Sequence, residues 1–594
     1  MLPGWMLLLA VCAHGADPVE PRREVVVVTG TYEPVPLEEA DRAVRSLSVE
    51  EESLLFDTLA DLLRLEPSVD LRQRAPGAVQ ADVSIRGGTF GQTLVLLDGF
   101  RLNDAQSGHH NMDVPVPLES LSRIEVLKGS GSTLYGSDAV GGVVQFITRR
   151  PQASEFRLRG AIGNFGVNQQ RGSVGLAAGS FSQSLAFSRD FSSGFRPNRD
   201  YRNLSLFSST HWRSGLGATA LLLAHNDRPF GAERFYGNFN SWERTKTWFA
   251  GLRQELGERT EASFAFRRHT DLFVLYRDRP QVFTNRHIVE GFQGALRRRQ
   301  PAGRTGRLYY GVEGYRDAIA STNLGNHTRA RGAAYAAFDV RALRRFSFTL
   351  GAREEVYGSL TGAFTPSVSF GAWLSPQLKV RASAGRAFRL PSFTDLYYHD
   401  PANRGSPDLR PEKAWSYDGG LDWHPRAGLR GELTVFHCRE QDVIDYVRSS
   451  PTDIWRATNI HRLRFTGVEA ALSATLARSR QLDLRYTALR GARQALGDIQ
   501  SRYVFNYPVH SGVASLTGAW RRVAARLRLG VLQRYSRDPY ALVDLALARA
   551  EGRLRPFVQL TNLADTAYEE IAGVPMPGRA VVAGIEWVIF GGGR

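Results

Sequence analysis

The chain has 594 residues, too many for one ordinary compact domain, so its length predicts either a small domain joined to a large one or a closed barrel. Its 58 glycines, 32 phenylalanines and 20 tyrosines favour many short strands and turns over helices. The formal charge is +16, but no compact block of Arg and Lys carries interleaved aromatic residues, so we expect no nucleic-acid partner.

The amino terminus is typical of a secretory signal. Residues 6–11 are apolar, and small residues stand at Ala13 and Gly15, so we expect a signal peptide over residues 1–15. Cys12 would leave with it, unless Cys12 is a lipoprotein cysteine, a role that Val11 fits poorly. Cys438 would then be the only cysteine, and no intramolecular disulfide could form. Beyond the signal, no apolar run approaches the ~20 residues that a spanning helix needs, so we expect any membrane crossing to use a barrel.

A run of β-branched residues follows the signal. Four consecutive valines predict an extended segment with unpaired backbone groups. The segment is either the first strand of the next domain or a strand offered to another protein by β-augmentation. Its residues are Glu24, Val25, Val26, Val27, Val28, Thr29 and Gly30.

Residues 31–150 predict a small α+β domain. Leucines at helical spacing over 53–65 predict a helix, with Ser53 as its N-cap. Residues 93–102 predict a hairpin in which Asp98 and Gly99 form the turn. Two further strands are predicted at 124–127 and 143–147.

From residue 151 to residue 594 the sequence becomes short alternating segments separated by turn residues. In 523–531 the odd-numbered positions are apolar, whereas Arg526 and Arg528 fall on the opposite face. Such alternation fits a soluble sandwich as well as an outer-membrane barrel, whose apolar side faces lipid. The length allows roughly 20 residues for each strand with its connection, which favours a plugged barrel of about 22 strands.

Motifs for nucleotide binding and catalysis are absent from the sequence. Gly131 and Gly136 have the spacing of a phosphate-binding loop, but Ser137 and Asp138 follow where Lys and Ser or Thr are required. No Gly-x-Ser-x-Gly elbow and no His-Glu-x-x-His helix is found, so we expect no enzyme. His109 and His110 are adjacent and would point to opposite faces of a strand, so we expect no metal site, although a loop could gather them.

Several stretches together resemble the TonB-dependent outer-membrane receptors. The likeness lies at 84–88, 95–99, 122–129 and 134–143 in the first region, and at 386–397, 407–413 and 562–579 in the second. Residues 24–30 resemble the TonB box, the epitope that couples such receptors to their energy source. Ser130 departs from the pattern, because the family commonly has Pro there.

The resemblance implies a transmembrane β-barrel of about 22 antiparallel strands, occluded by an N-terminal α+β plug domain. The implied organisation is a signal peptide at 1–15, a periplasmic tail with the TonB box at 16–30, a plug at 31–150 and the barrel at 151–594. The implied function is TonB-dependent uptake of a scarce solute by a monomer in the bacterial outer membrane. Its partners would be TonB with the inner-membrane energising complex, the solute and outer-membrane lipid, with no cofactor.

Solute contacts are expected at the plug apices. The favoured solute is cobalamin, and the alternative within the family is a ferric siderophore or haem. A soluble secreted β-propeller is the alternative from another class; it would show repeats of roughly 40 to 50 residues, which we do not find. The residues that the family pattern places at the apices are Thr89, Phe90, Gln92, Gln106, His109, His110 and Asn111.

Overall fold

The computed structural model describes residues 26–590 apart from 51, 78, 344, 359–360, 478 and 493–498. The expected signal peptide, Glu24 and Val25 therefore lie outside the described residues. Within the described part, no helix is long and apolar enough to cross a membrane.

The described residues of the plug form nine strands. A five-stranded sheet of order β3-β8-β9-β6-β7 is flanked by the pairs β1-β2 and β4-β5. The strands are β1 Val26–Val27, β2 Val35–Pro36, β3 Val44–Ser48, β4 Val69–Gln73, β5 Ala81–Ile85, β6 Thr93–Leu97, β7 Phe100–Arg101, β8 Leu121–Lys128 and β9 Gly142–Thr148. The helices are α1 Leu59–Leu63 and α2 Ser132–Tyr135, with 3₁₀ turns at Leu37–Glu39, Ser53–Leu55, Phe90–Gln92, Gly108–His110 and Leu118–Ser120.

The predicted plug hairpin is confirmed, but the predicted helix cap is wrong. Asp98 and Gly99 join β6 to β7 with φ of 46° and 83°, the left-handed conformation of such a turn. The chain is extended at Thr58, which interrupts the predicted helix, and α1 begins after it. Thr58 Oγ1 accepts from Asp61 N at 3.3 Å and Asp61 Oδ2 accepts from Thr58 N at 2.9 Å, so Thr58 caps the helix instead of Ser53.

The remaining strands build the barrel. They are β10 Glu155–Gly163, β11 Asn168–Ala178, β12 Phe181–Ser192, β13 Tyr201–Ser214, β14 Gly217–Glu233, β15 Asn240–Leu256, β16 Thr260–Val274, β17 Thr284–Ala302, β18 Gly306–Ser321, β19 Gly325–Leu343, β20 Phe346–Tyr357, β21 Thr361–Ser375 and β22 Leu378–Arg389. There follow α3 Phe393–Tyr397, β23 Asn403–Arg404, β24 Glu412–Arg426, β25 Leu429–Arg448, β26 Trp455–Ala477, β27 Arg480–Ala492, β28 Gln500–Ser501, β29 Pro508–Trp520, β30 Val523–Arg534, β31 Tyr540–Arg549, β32 Leu554–Thr561, β33 Glu569–Ile571, β34 Val574–Pro575 and β35 Ala580–Phe590.

Twenty-two long antiparallel strands form one closed wall around the plug. The first, β10, pairs with the last, β35, from Phe156↔Phe590 to Gly163↔Val582. The predicted fold, a barrel of about 22 strands with an N-terminal α+β plug, is confirmed. The β-propeller alternative is excluded, because one continuous cylinder replaces separate blades.

The barrel wall shows the predicted alternation of outward apolar and inward charged side chains. Leu527 and Leu529 are 44% and 42% exposed on the outer surface, whereas Arg526 and Arg528, which alternate with them, are buried. Exposed large apolar side chains on an outer face with charges inside match a lipid-facing barrel, not a soluble core.

The two rims of the barrel differ. One rim has turns of two to four residues, and the other has the long connections, among them 193–200, 390–411 and 493–507. Short turns face the periplasm and long loops face outward in such barrels. Glu33, just after the terminal segment, pairs with Arg299 beside a short turn, at 3.6 Å. The plug apex lies at the opposite rim, where His109 contacts Tyr503 with ring centroids 5.7 Å apart.

Buried ion pairs join the plug to the wall, and others form inside the plug. Arg86 contacts Glu469 and Asp418 on the inner wall. Glu125 instead pairs inside the plug, where its Oε1 lies 2.8 Å from Arg123 Nε.

Candidate functional site

A cavity of about 1010 Å³ opens at the long-loop rim, and we name it the outer cavity. Its floor is formed by the plug and its sides by loops of the barrel, so it lies where a solute arriving from outside would first meet both parts. Residues of the plug floor are Arg72, Arg74, Asp82 and His109; those of the barrel side include Arg234, Tyr236, Trp455, Arg502, Tyr503, Phe505, Tyr535 and Arg537.

The outer cavity is cationic and aromatic. Five arginines and one aspartate line it among the described residues. Arg502 lies 5.7 Å from the Trp455 ring centroid and 5.5 Å from that of Tyr503, so its guanidinium is held against aromatic faces. Guanidinium groups bind carboxylates and other anionic oxygens through parallel hydrogen bonds, and aromatic walls stack on planar groups. The cavity is suited to an anionic ligand with planar, apolar parts.

The cavity floor is held together by Asp82. Asp82 Oδ1 lies 2.7 Å from His109 Nδ1, and Asp82 Oδ2 lies 3.4 Å from Arg74 Nη1. Burial alone would raise the pKa of Asp82, but Arg74 and His109 outweigh it and hold that pKa well below the usual range. Burial lowers the pKa of His109, although Asp82 opposes the shift. The floor therefore presents a fixed carboxylate and a neutral imidazole at neutral pH.

An aromatic stack rises from this floor. The rings of Phe90 and His109 are stacked with centroids 4.1 Å apart, and Tyr503 meets Phe90 edge-on at 5.1 Å. Because Tyr503 belongs to a long loop, the stack links the plug apex to a barrel loop. A ligand that displaced Tyr503 would therefore disturb the contact between the plug apex and this barrel loop.

At the opposite rim, the terminal segment, residues 26–30, is docked on the plug. Val26 and Val27 pair with Pro36 and Val35, and Val27 is fully buried. The next two amides, Val28 N and Thr29 N, donate to Glu125 Oε2 at 2.9 and 2.7 Å. The described part of the predicted free tail is therefore held by backbone pairing and one buried carboxylate.

Space for a partner adjoins the terminal segment. A cavity of about 410 Å³ is lined by Val28 and by residues of the short-turn rim, including Gly257 and Glu258. A peptide strand approaching from that side would meet the segment without crossing the barrel wall.

Two family models match almost the whole chain. A plug-domain model, "TonB-dependent Receptor Plug Domain", matches residues 36–143, and "TonB dependent receptor-like, beta-barrel" matches residues 152–563. The chain belongs to the TonB-dependent receptor family. Members of this family lie in the outer membrane, bind a small solute and interact with TonB, as the resemblance implies.

Curated relatives and solved structures agree with this membership. The chain is 25% identical to an iron-regulated outer membrane virulence protein of Vibrio cholerae, over 86% of this chain and 84% of that protein. It is 24% identical to a vitamin B12 transporter BtuB of the same organism, over 97% of both. The siderophore receptor PirA of Acinetobacter baumannii has the same fold, with a TM-score of 0.76, 14% identity and coverage of 92% and 98%.

In this TonB-dependent receptor, the expected apex residues divide into two groups. His109 lines the outer cavity, and Phe90 packs on it. The other five turn inward: Thr89, Gln92, Gln106, His110 and Asn111 are buried. Gln92 Nε2, for example, donates to Glu412 Oε2 of the wall at 2.8 Å, a contact that fixes the apex in place.

Most of the cavity wall of this receptor was not anticipated from the sequence. Arg72, Arg74 and Asp82 lie on or beside plug strands that carry no apex motif, and Arg502 and Tyr503 lie in a loop without a family signature. A weak signal existed, since Arg72 and Arg74 stand two positions apart at the end of a short strand, and such spacing places both side chains on one face.

Proposed function

We propose that this TonB-dependent receptor imports an anionic metal chelate with aromatic groups, of the ferric siderophore class. The observation that carries the proposal is the outer cavity, whose five arginines stand among Trp, Tyr and Phe side chains. A chelate whose phenolate or carboxylate oxygens keep a negative charge would satisfy the guanidiniums, and its rings would stack on the walls. A relative whose name describes it as iron-regulated is consistent with a solute that contains iron.

Cobalamin remains the second candidate. The support is the similarity to vitamin B12 transporters, one of which aligns over 97% of both chains. Cobalamin presents mainly neutral amides around its ring and a single phosphodiester. Its one phosphodiester could serve only one of Arg502 and Arg537, the two cavity arginines for which the described residues show no ion pair, which is why we place it second.

We further propose that the TonB box, residues 24–30, is the contact for TonB, through its described part at 26–30. A TonB strand could pair with this segment by β-augmentation, because a β-branched strand at a rim offers backbone donors and acceptors. In the docked form, Val27 pairs with Val35, and Glu125 accepts from Val28 and Thr29. Coupling therefore requires that these contacts be released before or while TonB binds.

The solute is tested by titrating the purified full chain in detergent with three probes. These are an iron(III) tris-catecholate, which is anionic and aromatic, a neutral iron(III) tris-hydroxamate, and cyanocobalamin. We expect the catecholate to bind most tightly and its affinity to fall as salt rises, because exposed charge pairs are screened. Tight binding of cyanocobalamin with no binding of the catecholate would reverse the order of our two candidates.

A matched pair of arginine variants assigns the binding to the cavity. Arg502→Gln removes a guanidinium from the wall of the outer cavity, whereas Arg462→Gln removes one that is exposed outside it. Catecholate affinity should fall about tenfold in the first variant and stay unchanged in the second, since a hydrogen bond to a charged group contributes about 1.5–3 kcal/mol. Equal affinities in both variants would place the ligand elsewhere.

A further inference from the structure

A second group of chemically active side chains lies beside the outer cavity and is fully enclosed. It joins Asp104, His110 and Asp113 of the plug to Glu243, His269 and Asp271 of the barrel wall, and all six are buried. We name this group the buried cluster. It is separate from the outer cavity, whose nearest wall residue, Tyr236, donates its hydroxyl to Glu243 Oε2 at 2.5 Å.

Three donors of the buried cluster converge on one point. His269 Nε2 lies 3.2 Å from Asp113 Oδ2, and His110 Nδ1 lies 3.6 Å from the same oxygen. One ligand atom from each of these three residues falls within 4.8 Å of the others. Donors bound to one Zn²⁺ at about 2.0–2.2 Å in a tetrahedron stand about 3.3–3.6 Å apart. The His110–Asp113 distance falls in this range, and the His269–Asp113 distance, which is that of a hydrogen bond, is slightly shorter.

We propose that His110, Asp113 and His269 bind one divalent transition-metal ion, for which Zn²⁺ is the best match. Two imidazoles and a carboxylate are the ligand types that Zn²⁺ prefers, and they leave a fourth position open. The ion would join a plug loop to strand β16 of the wall. The proposal does not depend on which solute the outer cavity takes.

The contacts behind the ligands orient them for a metal. His269 Nδ1 lies 2.9 Å from Asp104 Oδ2, which directs the other ring nitrogen, Nε2, towards Asp113. Asp113 Oδ1 accepts from Arg228 at 2.7 Å, which leaves Oδ2 for the ion. A carboxylate beside a ligating histidine is the usual outer contact of a zinc ligand.

The surroundings are also rich in acidic groups. Four carboxyls, Asp104, Asp113, Glu243 and Asp271, face two guanidiniums, Arg228 and Arg267, so the described groups carry two excess negative charges when all four carboxyls are ionised and both histidines are neutral. Charges buried without partners are costly, and one divalent ion would cancel both. Protonation of both histidines would cancel them as well, and that alternative predicts no metal binding.

A carboxylate oxygen beside the three ligands also lacks a partner. Asp271 is 5% exposed, and its Oδ1 has no hydrogen-bond partner among the described residues. Its other oxygen, Oδ2, lies 3.5 Å from His110 Nε2, on the far side of the same imidazole. His110, Glu243 and Asp271 thus form a second, adjacent donor set. Buried polar atoms without partners are rare, and a bound ion with its water would supply one here.

The test uses the full chain in detergent, stripped with a chelator and dialysed. Titration with Zn²⁺ should show one tight site, and the bound metal should amount to one ion per chain by elemental analysis. His269→Ala and His110→Ala should each weaken the site by at least tenfold. His461→Ala, which removes an exposed histidine outside the buried cluster, should keep the affinity of the parent protein.

A second variant and a spectrum keep the test decisive if the alanine variants fold poorly. Glu243→Gln changes only the second donor set, so it should retain the ion; loss of Zn²⁺ in Glu243→Gln but not in His269→Ala would overturn the assignment. The unaltered chain loaded with Co²⁺ should give the visible absorption of a tetrahedral cobalt site with nitrogen and oxygen ligands. Absence of both Zn²⁺ uptake and that absorption in the parent protein would overturn the proposal.

Discussion

Arg86 of the plug and Glu469 of the barrel wall form a two-pronged ion pair across 383 positions of sequence. Arg86 Nε donates to Glu469 Oε1 at 2.7 Å, and Arg86 Nη2 donates to Glu469 Oε2 at 3.0 Å. Both side chains are buried, and the same guanidinium contacts Asp418. Lys128 adds a contact to Glu469 at 2.9 Å, so two plug cations meet two wall carboxylates.

Replacing Arg86 should loosen the plug in its barrel. Arg86→Met leaves two buried carboxylates short of one positive charge, and breaking a buried pair from one side costs about 3–5 kcal/mol. We expect easier release of the plug by urea, measured as an earlier rise of ion conductance through reconstituted barrels. Arg268→Gln, which breaks an exposed pair with Glu290, is the matched control and should change the urea midpoint little. The same urea midpoint in Arg86→Met and in the parent protein would show that Arg86 does not hold the plug.

Removing the Glu125 carboxylate should expose the terminal segment. In Glu125→Ala, the amides of Val28 and Thr29 lose their acceptor, and hydrogen bonds to a charged group contribute about 1.5–3 kcal/mol each. A thiol placed at the buried position by Val27→Cys, with Cys438 replaced by serine, should then react faster with a water-soluble maleimide. Glu125→Gln keeps one acceptor oxygen and should show a smaller increase, and identical labelling rates in all three backgrounds would contradict this role.

A proline in the terminal segment should separate binding from uptake. Val27→Pro removes a backbone N–H that a TonB strand needs and leaves the outer cavity at the opposite rim untouched. Uptake into cells should fall to the level of a strain without TonB, while solute binding to the purified chain stays the same. Val27→Thr has nearly the same shape and keeps the N–H, so it serves as the control. Uptake in Val27→Pro equal to that in Val27→Thr would argue against the proposed contact.

The aromatic stack at the plug apex should contribute to affinity. Phe90→Ala combined with His109→Ala removes the two plug rings that contact Tyr503. Each aromatic pair contributes about 0.5–1.5 kcal/mol beyond its buried area, so we expect the dissociation constant of the solute to rise about tenfold. Tyr276→Ala removes a rim aromatic outside the cavity and should have no effect on that constant. The stack has no part in binding if the double variant binds as the parent does.

Lowering the pH should destabilise the folded protein at the plug apex, because His109 becomes protonated. Burial places its pKa in the folded protein below 6.5, so folding favours the neutral ring. The stability that this provides is complete above pH 6.5 and is lost as the pH falls from that value through the lower folded pKa. We expect the unfolding temperature to drop between pH 7.5 and pH 5 by less in His109→Gln than in the parent protein. Equal drops would mean that His109 does not titrate in this range.

The sequence predicted the strands of the barrel wall better than it predicted the residues of the candidate site, for physical reasons. Alternation with a period of two depends only on which face meets lipid, so Arg526 and Arg528 could be assigned to the lumen from neighbouring residues alone. The turn at Asp98 and Gly99 is equally local. The cap of α1 was wrong because Ser53 and Thr58 are both good caps, and the choice depends on tertiary packing.

The residues of the two candidate binding regions are brought together only by the closed barrel. Tyr503 reaches His109 from a loop that has no local pattern. His269 contacts Asp113, which lies 156 positions away in the sequence. From the sequence alone, the only histidines that stand side by side are His109 and His110, so only that pair could be considered. Spacing rules find metal sites within one element and cannot find those shared between a plug and its wall.

The seam between β10 and β35 bears on how the plug comes to lie inside the barrel. These two strands are the first and the last of the wall, so the cylinder is closed only when they pair. While that pairing is missing, the wall has an open side that would admit the plug laterally and let it form its buried ion pairs. Once the pairing is made, the plug could enter or leave only through one of the two mouths, past the outer loops or the inner turns.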